Sequence, residues 1–86
     1  MEVEVFLRVV GERIERIRTI RGMSRKELGM AIGSTEVSAN PTINAIETRG
    51  QGTQIDTIFK IAQALNVSPG FLLDGGELQI SRTERV

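Results

Sequence analysis

Apolar residues recur at intervals of three and four along most of the chain, and this spacing predicts short amphipathic helices. The first predicted helix spans residues 9–20. Its apolar face carries Val10, Ile14 and Ile17, while charged side chains occupy most of the other positions. Gly22 follows where many helices end in a left-handed residue. The pattern therefore predicts one helix that ends just before Gly22.

A second, shorter helix is predicted at residues 25–32. Ser24 and Glu27 have the spacing of a capping box, in which the Ser hydroxyl accepts the Glu backbone N–H and the Glu carboxylate accepts the Ser backbone N–H. Leu28 begins the apolar stripe of this helix, and Gly33 is expected to end it.

A third helix is predicted to begin at Asn40 and Pro41. Asn is a favourable N-cap, and Pro suits the first helical position because its φ is already helical. The helix is expected to end near Thr48 or Arg49. It is preceded by a turn region, STEVSAN, at residues 34–40.

The clearest amphipathic pattern occupies residues 55–65 and predicts a fourth helix. Thr53 precedes it with cap-like spacing, and Asn66 is expected to end it in a left-handed conformation. A short fifth helix is predicted to open at residues 68–69 and to end at residues 74–76. Five short helices with tight connections predict one small all-α domain.

The two ends of the chain carry a weaker, alternating pattern. Residues 2–7 are compatible with a short strand or with a ragged entry into the first helix, and residues 77–81 alternate less clearly. The two ends are candidates for pairing with each other or across a dimer, and frayed termini are the alternative. Short β-strands at the two termini thus stay an open alternative. The predicted division of the chain is an N-terminal arm or strand at residues 1–8, a helical domain at residues 9–75, and a C-terminal tail at residues 76–86 that is a candidate dimerisation strand.

Composition excludes several functions. The 86 residues contain no Cys and no His, which removes disulfides, thiolate or imidazole metal ligands and the commonest general base. No paired-carboxylate or phosphate-loop motif is present, so we expect no enzyme, no cofactor and no metal. No apolar run is long enough for a membrane span, and the acidic first residues do not predict a secretion signal. A cytoplasmic protein without a membrane partner is therefore expected.

Charge initially argues against a nucleic-acid partner, because 11 basic residues balance 11 acidic ones. The balance is uneven along the chain, however. Residues 8–26 hold seven basic and two acidic residues, a local net charge of +5. Within this segment, Arg13 and Arg16 are expected to pair with Glu12 or Glu15 along the helix. The remaining positive charge suits a local contact with phosphate.

Three segments in order, GERIERIRTIRGMSRKELGMAIG, PTINAIE and IDTIFKIAQALNVSPGFLL, resemble the lambda-repressor/Cro-like (XRE-type) helix-turn-helix DNA-binding domain. The resemblance implies a five-helix fold in which the third helix is the recognition helix of the major groove. It also implies a partly buried ion pair between Arg18 and Glu47 that ties the first helix to the recognition helix. One departure is the turn at residues 34–40, which is longer than usual in the family. The added residues could extend the recognition helix, change its angle or offer backbone N–H groups to phosphate.

The residue types around the predicted recognition helix suggest how it would contact DNA. Arg25 and Lys26 begin the second helix, where the helix dipole and free N–H groups favour phosphate, although a solvated helix end is the alternative. Asn can bond adenine twice, and Thr or Ala can contact a thymine methyl group, whereas pure capping is the alternative for Asn40. The full set of candidate DNA contacts is Arg25, Lys26, Ser38, Asn40, Pro41, Thr42, Asn44, Ala45, Thr48 and Arg49.

The favoured interpretation is a sequence-specific double-stranded DNA-binding transcriptional regulator of the phage or bacterial repressor type. A homodimer is expected, because one recognition helix covers few base pairs and two-fold pairing doubles the contact. The alternative is a protein-interaction module with the same fold, either antitoxin-like or part of an assembly, in which DNA contact is secondary or lost. The apolar candidates Pro41 and Ala45 keep that alternative open.

Overall fold

Five α-helices make up residues 2–74, the part of the chain that the computed structural model describes. No strand occurs within these residues, and the predicted five-helix, all-α fold is confirmed. The candidate strand at residues 77–81 lies outside them. The helices are α1 (Val3–Ile20), α2 (Arg25–Ala31), α3 (Ala39–Arg49), α4 (Ile55–Leu65) and α5 (Pro69–Asp74).

The N-terminal strand alternative is wrong, because α1 already begins at Val3. Leu7 and Val10 are spaced as one helical face, and Leu7 continues the apolar stripe of the predicted helix toward the N-terminus, whereas Val3 is exposed. Leu7 packs against the turn after α3, where a Cβ added to Gly50 would lie 2.7 Å from the Leu7 Cβ. The expected boundary between arm and domain, at residues 8–9, falls inside α1.

Local capping explains most of the helix ends. Ser24 Oγ accepts the Glu27 N–H at 3.0 Å and Glu27 Oε1 accepts the Ser24 N–H at 2.8 Å, so the predicted capping box is confirmed. Gly22 and Asn66 are left-handed, with φ of 72° and 61°, as predicted. Thr53 is not a cap: its hydroxyl donates to the Gly50 carbonyl at 2.7 Å, and α4 follows Gln54 without a side-chain cap.

The core is formed by aliphatic side chains from all five helices. Burial of each large one contributes about 1.5–3 kcal/mol. α3 lies in the middle of this arrangement and contacts both α1 and α2. The buried core residues are Val10, Ile14, Leu28, Ile43, Ile46, Ile58, Ile61, Ala62, Leu65 and Leu72.

Two glycines let the backbones of α1 and α2 approach α3 closely. A Cβ added to Gly29 would lie 2.6 Å from the Ala39 Cβ, and one added to Gly11 would lie 2.8 Å from the Glu47 carbonyl oxygen. Glycine in a helix interior costs about 1 kcal/mol relative to Ala, so these positions serve packing rather than helix propensity. The position of α3 is therefore set by backbone contact on two sides.

Candidate nucleic-acid interface

The long turn between α2 and α3 leads into α3 through helix-type hydrogen bonds. The Ala39 N–H donates to the Thr35 carbonyl at 2.9 Å, and the Thr42 N–H donates to the Ser38 carbonyl at 3.0 Å. Both are the i to i−4 bonds of an α-helix. α3 itself begins at Ala39, one residue before the predicted start, so the added residues form a turn ahead of the helix and do not lengthen it by a turn.

Thr35 and Ser38 cap this turn reciprocally. The Thr35 N–H donates to Ser38 Oγ and the Ser38 N–H donates to Thr35 Oγ1, each at 3.1 Å. The prediction that Asn40 is the N-cap is therefore wrong, because Asn40 is the second residue of α3. The Thr-x-x-Ser spacing was the available signal, but it lacks the Glu or Gln that usually marks a capping box.

Most of the predicted base-contacting residues share one face of α3. Its opposite side is buried in the core through Ala39, Ile43 and Ile46. Asn40 is exposed on one flank, Thr42 and Arg49 lie on the other, and all are at least partly accessible. The outward face, as we use the term below, consists of Val37, Pro41, Asn44, Ala45 and Thr48.

The ion pair implied by the resemblance is present. Arg18 Nε lies 2.7 Å from Glu47 Oε2 and Arg18 Nη2 lies 3.2 Å from Glu47 Oε1, so the pair is bidentate. The Glu47 side chain is fully buried, at 0% exposure. Arg18 also donates to the Met23 carbonyl at 2.8 Å. A single guanidinium thus joins α1, the turn before α2, and α3.

Arg25 belongs to the same cluster, which the sequence did not indicate. Its Nε donates to Glu47 Oε1 at 3.0 Å, and its Nη2 lies 3.6 Å from Glu15 Oε2. The side chain is 33% exposed, so part of the guanidinium still faces solvent. A contact between Arg25 and phosphate stays a prediction, but the residue also neutralises a buried carboxylate.

The comparison with known families agrees with this geometry. A sequence model of the helix-turn-helix family matches residues 14–72. The chain belongs to this family, in its XRE-type, lambda-repressor-like form. The family consists of DNA-binding regulatory domains that are generally non-enzymatic. No curated protein matches the chain significantly.

The helix-turn-helix pair is α2 and α3, and an ion pair spans the turn that joins them. Lys26 Nζ at the start of α2 lies 2.8 Å from Glu36 Oε2 in the added turn, and both side chains are exposed. Exposed pairs of this kind are weak, at about 0–1 kcal/mol, so Lys26 can exchange Glu36 for a phosphate at low cost. Its predicted phosphate contact stays open.

Other arginines of residues 8–26, the segment with a net charge of +5, hydrogen-bond backbone carbonyls within the fold. Arg13 donates to the Leu72 carbonyl at 3.0 Å and Arg21 donates to the Leu65 carbonyl at 2.8 Å, where both serve the C-terminal ends of helices. The predicted pairing of Arg13 with Glu12 or Glu15 is therefore wrong. Within residues 2–74, Arg16 makes no ion pair with either glutamate.

The C-terminal end of α3 presents Arg49 to solvent. Its Nε has a 3.4 Å contact with Gln51 Oε1, and Gly50 ends the helix with φ of 70°. Next to it, Thr48 Oγ1 donates to the Asn44 carbonyl at 2.7 Å. Arg49 is the exposed cation of α3, and its position at the end of the helix suits a contact with the DNA backbone, which stays a prediction. No helix in residues 2–74 is long and apolar enough to cross a membrane.

Proposed function

We propose that this protein is a sequence-specific transcriptional regulator of the repressor type that acts in the cytoplasm as a homodimer on double-stranded DNA. The observation that carries the proposal is the contrast between the two sides of α3. One side is fixed by backbone contacts at Gly11 and Gly29 and by the ion pairs of Glu47. The outward face is left accessible and carries short side chains that suit base edges.

The roles of individual residues follow from their position. Asn40, Asn44 and Ala45 contact base edges in the major groove, and Thr48 contacts the DNA backbone. Other side chains contact phosphate and set the orientation of the helix without carrying sequence information. These are Arg25, Lys26 and Arg49.

Dimerisation is supported by exposed apolar side chains at the start of α1, which precede residues 14–72, the part of the chain that the family model matches. Val3 and Phe6 are 69% and 36% exposed on the first turns of the helix. A second copy would cover them and would place two recognition helices on half-sites about 34 Å apart. Residues 77–86 were the other candidate interface and lie outside the described residues.

The test is binding of the full chain to duplex DNA of random sequence at two salt concentrations, measured by fluorescence anisotropy. Phosphate contacts release counterions, so log affinity is expected to fall steeply with log salt concentration. Because several arginines serve the fold instead of DNA, we expect the affinity for random DNA to be modest. No binding at low salt by a dimeric sample would rule out this function.

A protein-interaction module is the second candidate, and one observation favours it. Val37 is 87% exposed, and Pro41 and Ala45 continue an apolar strip along the outward face. Such a strip also suits an apolar partner protein, as in an antitoxin or an assembly. In that case, replacing Val37 with Ser would weaken the protein complex, and the salt-dependent DNA binding described above would be absent.

A further inference from the structure

The outward face of α3 has an unusual chemistry for contact with bases. Its members are three apolar residues and two short polar ones, without charge. Arg49, the charged residue of α3 nearest to this face, lies on its flank and contacts Gln51. The one acid of the preceding turn, Glu36, is paired with Lys26.

These side chains cannot contact all four bases equally well. Guanine is recognised chiefly by Arg or Lys through its O6 and N7 atoms, and cytosine by a carboxylate that accepts from N4. The outward face offers neither group. Adenine is recognised by Asn or Gln through N6 and N7, and the methyl group of thymine is recognised by apolar contact.

Both asparagines near this face are free to bond a base. Within residues 2–74, the carboxamides of Asn40 and Asn44 have no hydrogen-bond partner. Each carries the donor and the acceptor that a bidentate contact with adenine requires. The Thr48 hydroxyl donates to the backbone carbonyl of Asn44 at 2.7 Å and leaves the Asn44 carboxamide unengaged.

The apolar members of the outward face form a strip. Pro41 and Ala45 lie four residues apart on one side of α3, and Val37 lies four residues before Pro41 in the turn that leads into the helix. Their side chains are short, and Pro41 has no N–H to leave unsatisfied. Such a strip can approach a row of thymine methyl groups closely.

We infer that α3 recognises A·T base pairs, with Asn40 and Asn44 on adenine and the strip Val37–Pro41–Ala45 on thymine methyl groups. This inference rests on the proposed function and specifies the base composition of the DNA site that α3 recognises. Specificity comes from contacts with thymine methyl groups and from hydrogen bonds between Asn carboxamides and adenine, in place of arginine–guanine pairs.

The experiment begins with the full-length protein and a library of duplexes with a randomised centre. We expect selected sites to be enriched in A·T pairs at the positions that α3 contacts. The best site is then resynthesised with uracil in place of thymine, which removes only the methyl groups. Each lost methyl contact is expected to weaken binding about three- to fivefold. Replacing adenine with 7-deazaadenine is expected to weaken it roughly fivefold or more.

A gain-of-function variant tests the same inference. Ala45→Arg places a guanine-binding side chain in the middle of the outward face, and we expect one selected position to change from A·T to G·C. Gln63→Arg is the matched control, because it adds the same charge at an exposed position of α4. It is expected to strengthen binding to all sequences without changing the selected bases.

The outcomes separate the inference from the proposed function. Salt-dependent binding to selected sites that are rich in G·C, or that tolerate uracil without loss, would overturn the inference and leave the function standing. Absence of binding at low salt would overturn both.

Discussion

Arg18 donates two hydrogen bonds to the buried carboxylate of Glu47, at 2.7 and 3.2 Å, and this pair joins α1 to the recognition helix. Because Arg25 bonds the same carboxylate, one buried acid holds cations from two helices. The orientation of α3 and the position of Arg25, a predicted phosphate contact, are therefore linked through Glu47.

The first prediction concerns this pair. Arg18→Ala leaves much of the Glu47 charge uncompensated, and we expect a loss of about 3 kcal/mol in the free energy of unfolding. Urea unfolding followed by circular dichroism measures it. The double variant Arg18→Met, Glu47→Leu is expected to lose less than Arg18→Ala, because no buried charge remains. An equal or larger loss would contradict this account.

The second prediction separates Arg25 from its neighbour. A candidate phosphate contact alone would predict that Arg25→Ala weakens DNA binding and leaves the fold intact. The contact with Glu47 changes that expectation: we now predict lower stability, by about 1–3 kcal/mol, together with weaker binding to all DNA sequences. Lys26→Ala is the control, since it removes only an exposed pair and should leave the urea midpoint unchanged. Equal midpoints for the two variants would show that Arg25 does not support Glu47.

The third prediction tests the cap of the added turn. Thr35→Ala is expected to cost about 1 kcal/mol, because it removes the hydroxyl that accepts the Ser38 N–H. Asn40→Ala, at the position the sequence favoured as cap, is expected to leave thermal stability unchanged and to weaken specific DNA binding. A loss of stability in Asn40→Ala, measured by thermal unfolding, would restore the capping role of Asn40.

The fourth prediction tests the close approach of α2 and α3. Gly29→Ala raises helix propensity but places a Cβ 2.6 Å from the Ala39 Cβ. We expect destabilisation of about 1–3 kcal/mol from overpacking, with weaker DNA binding because α3 is displaced. Met30→Ala, on an exposed position of the same helix, is the control and should change neither quantity. A stabilised Gly29→Ala would refute the packing argument.

The fifth prediction addresses dimerisation. Phe6→Glu places a charge on the exposed start of α1, and we expect the dimer to dissociate at concentrations where the unmodified chain is dimeric. Sedimentation velocity measures this. Ile20→Glu, at the far end of the same helix and also exposed, is the matched control. If both variants remain dimeric, the interface lies elsewhere.

The features that could be predicted from sequence are the ones with short-range causes. The capping box at Ser24, the left-handed Gly22 and the amphipathic pattern of α4 depend on residues within a few positions of one another. The Arg18–Glu47 pair, 29 residues apart, was available only through the resemblance to a family. Nothing local marks the contacts of Arg13 or Arg25, because each partner is set by how helices pack. At the N-terminus, the position of Val3 fits both a helical spacing and the alternating spacing of a strand. Local sequence does not choose between helix and strand there, because packing decides it.

The added turn before α3 has a consequence for how the protein meets its target. Residues 35–38 bury no side chain in the core and are held by exposed hydroxyl–amide bonds. Segments of this kind open locally at a small fraction of the global unfolding free energy. We therefore expect amide hydrogens there to exchange with solvent far faster than those around Ile43. The front of the recognition surface would become ordered on the operator, and part of the binding free energy would be used to order it.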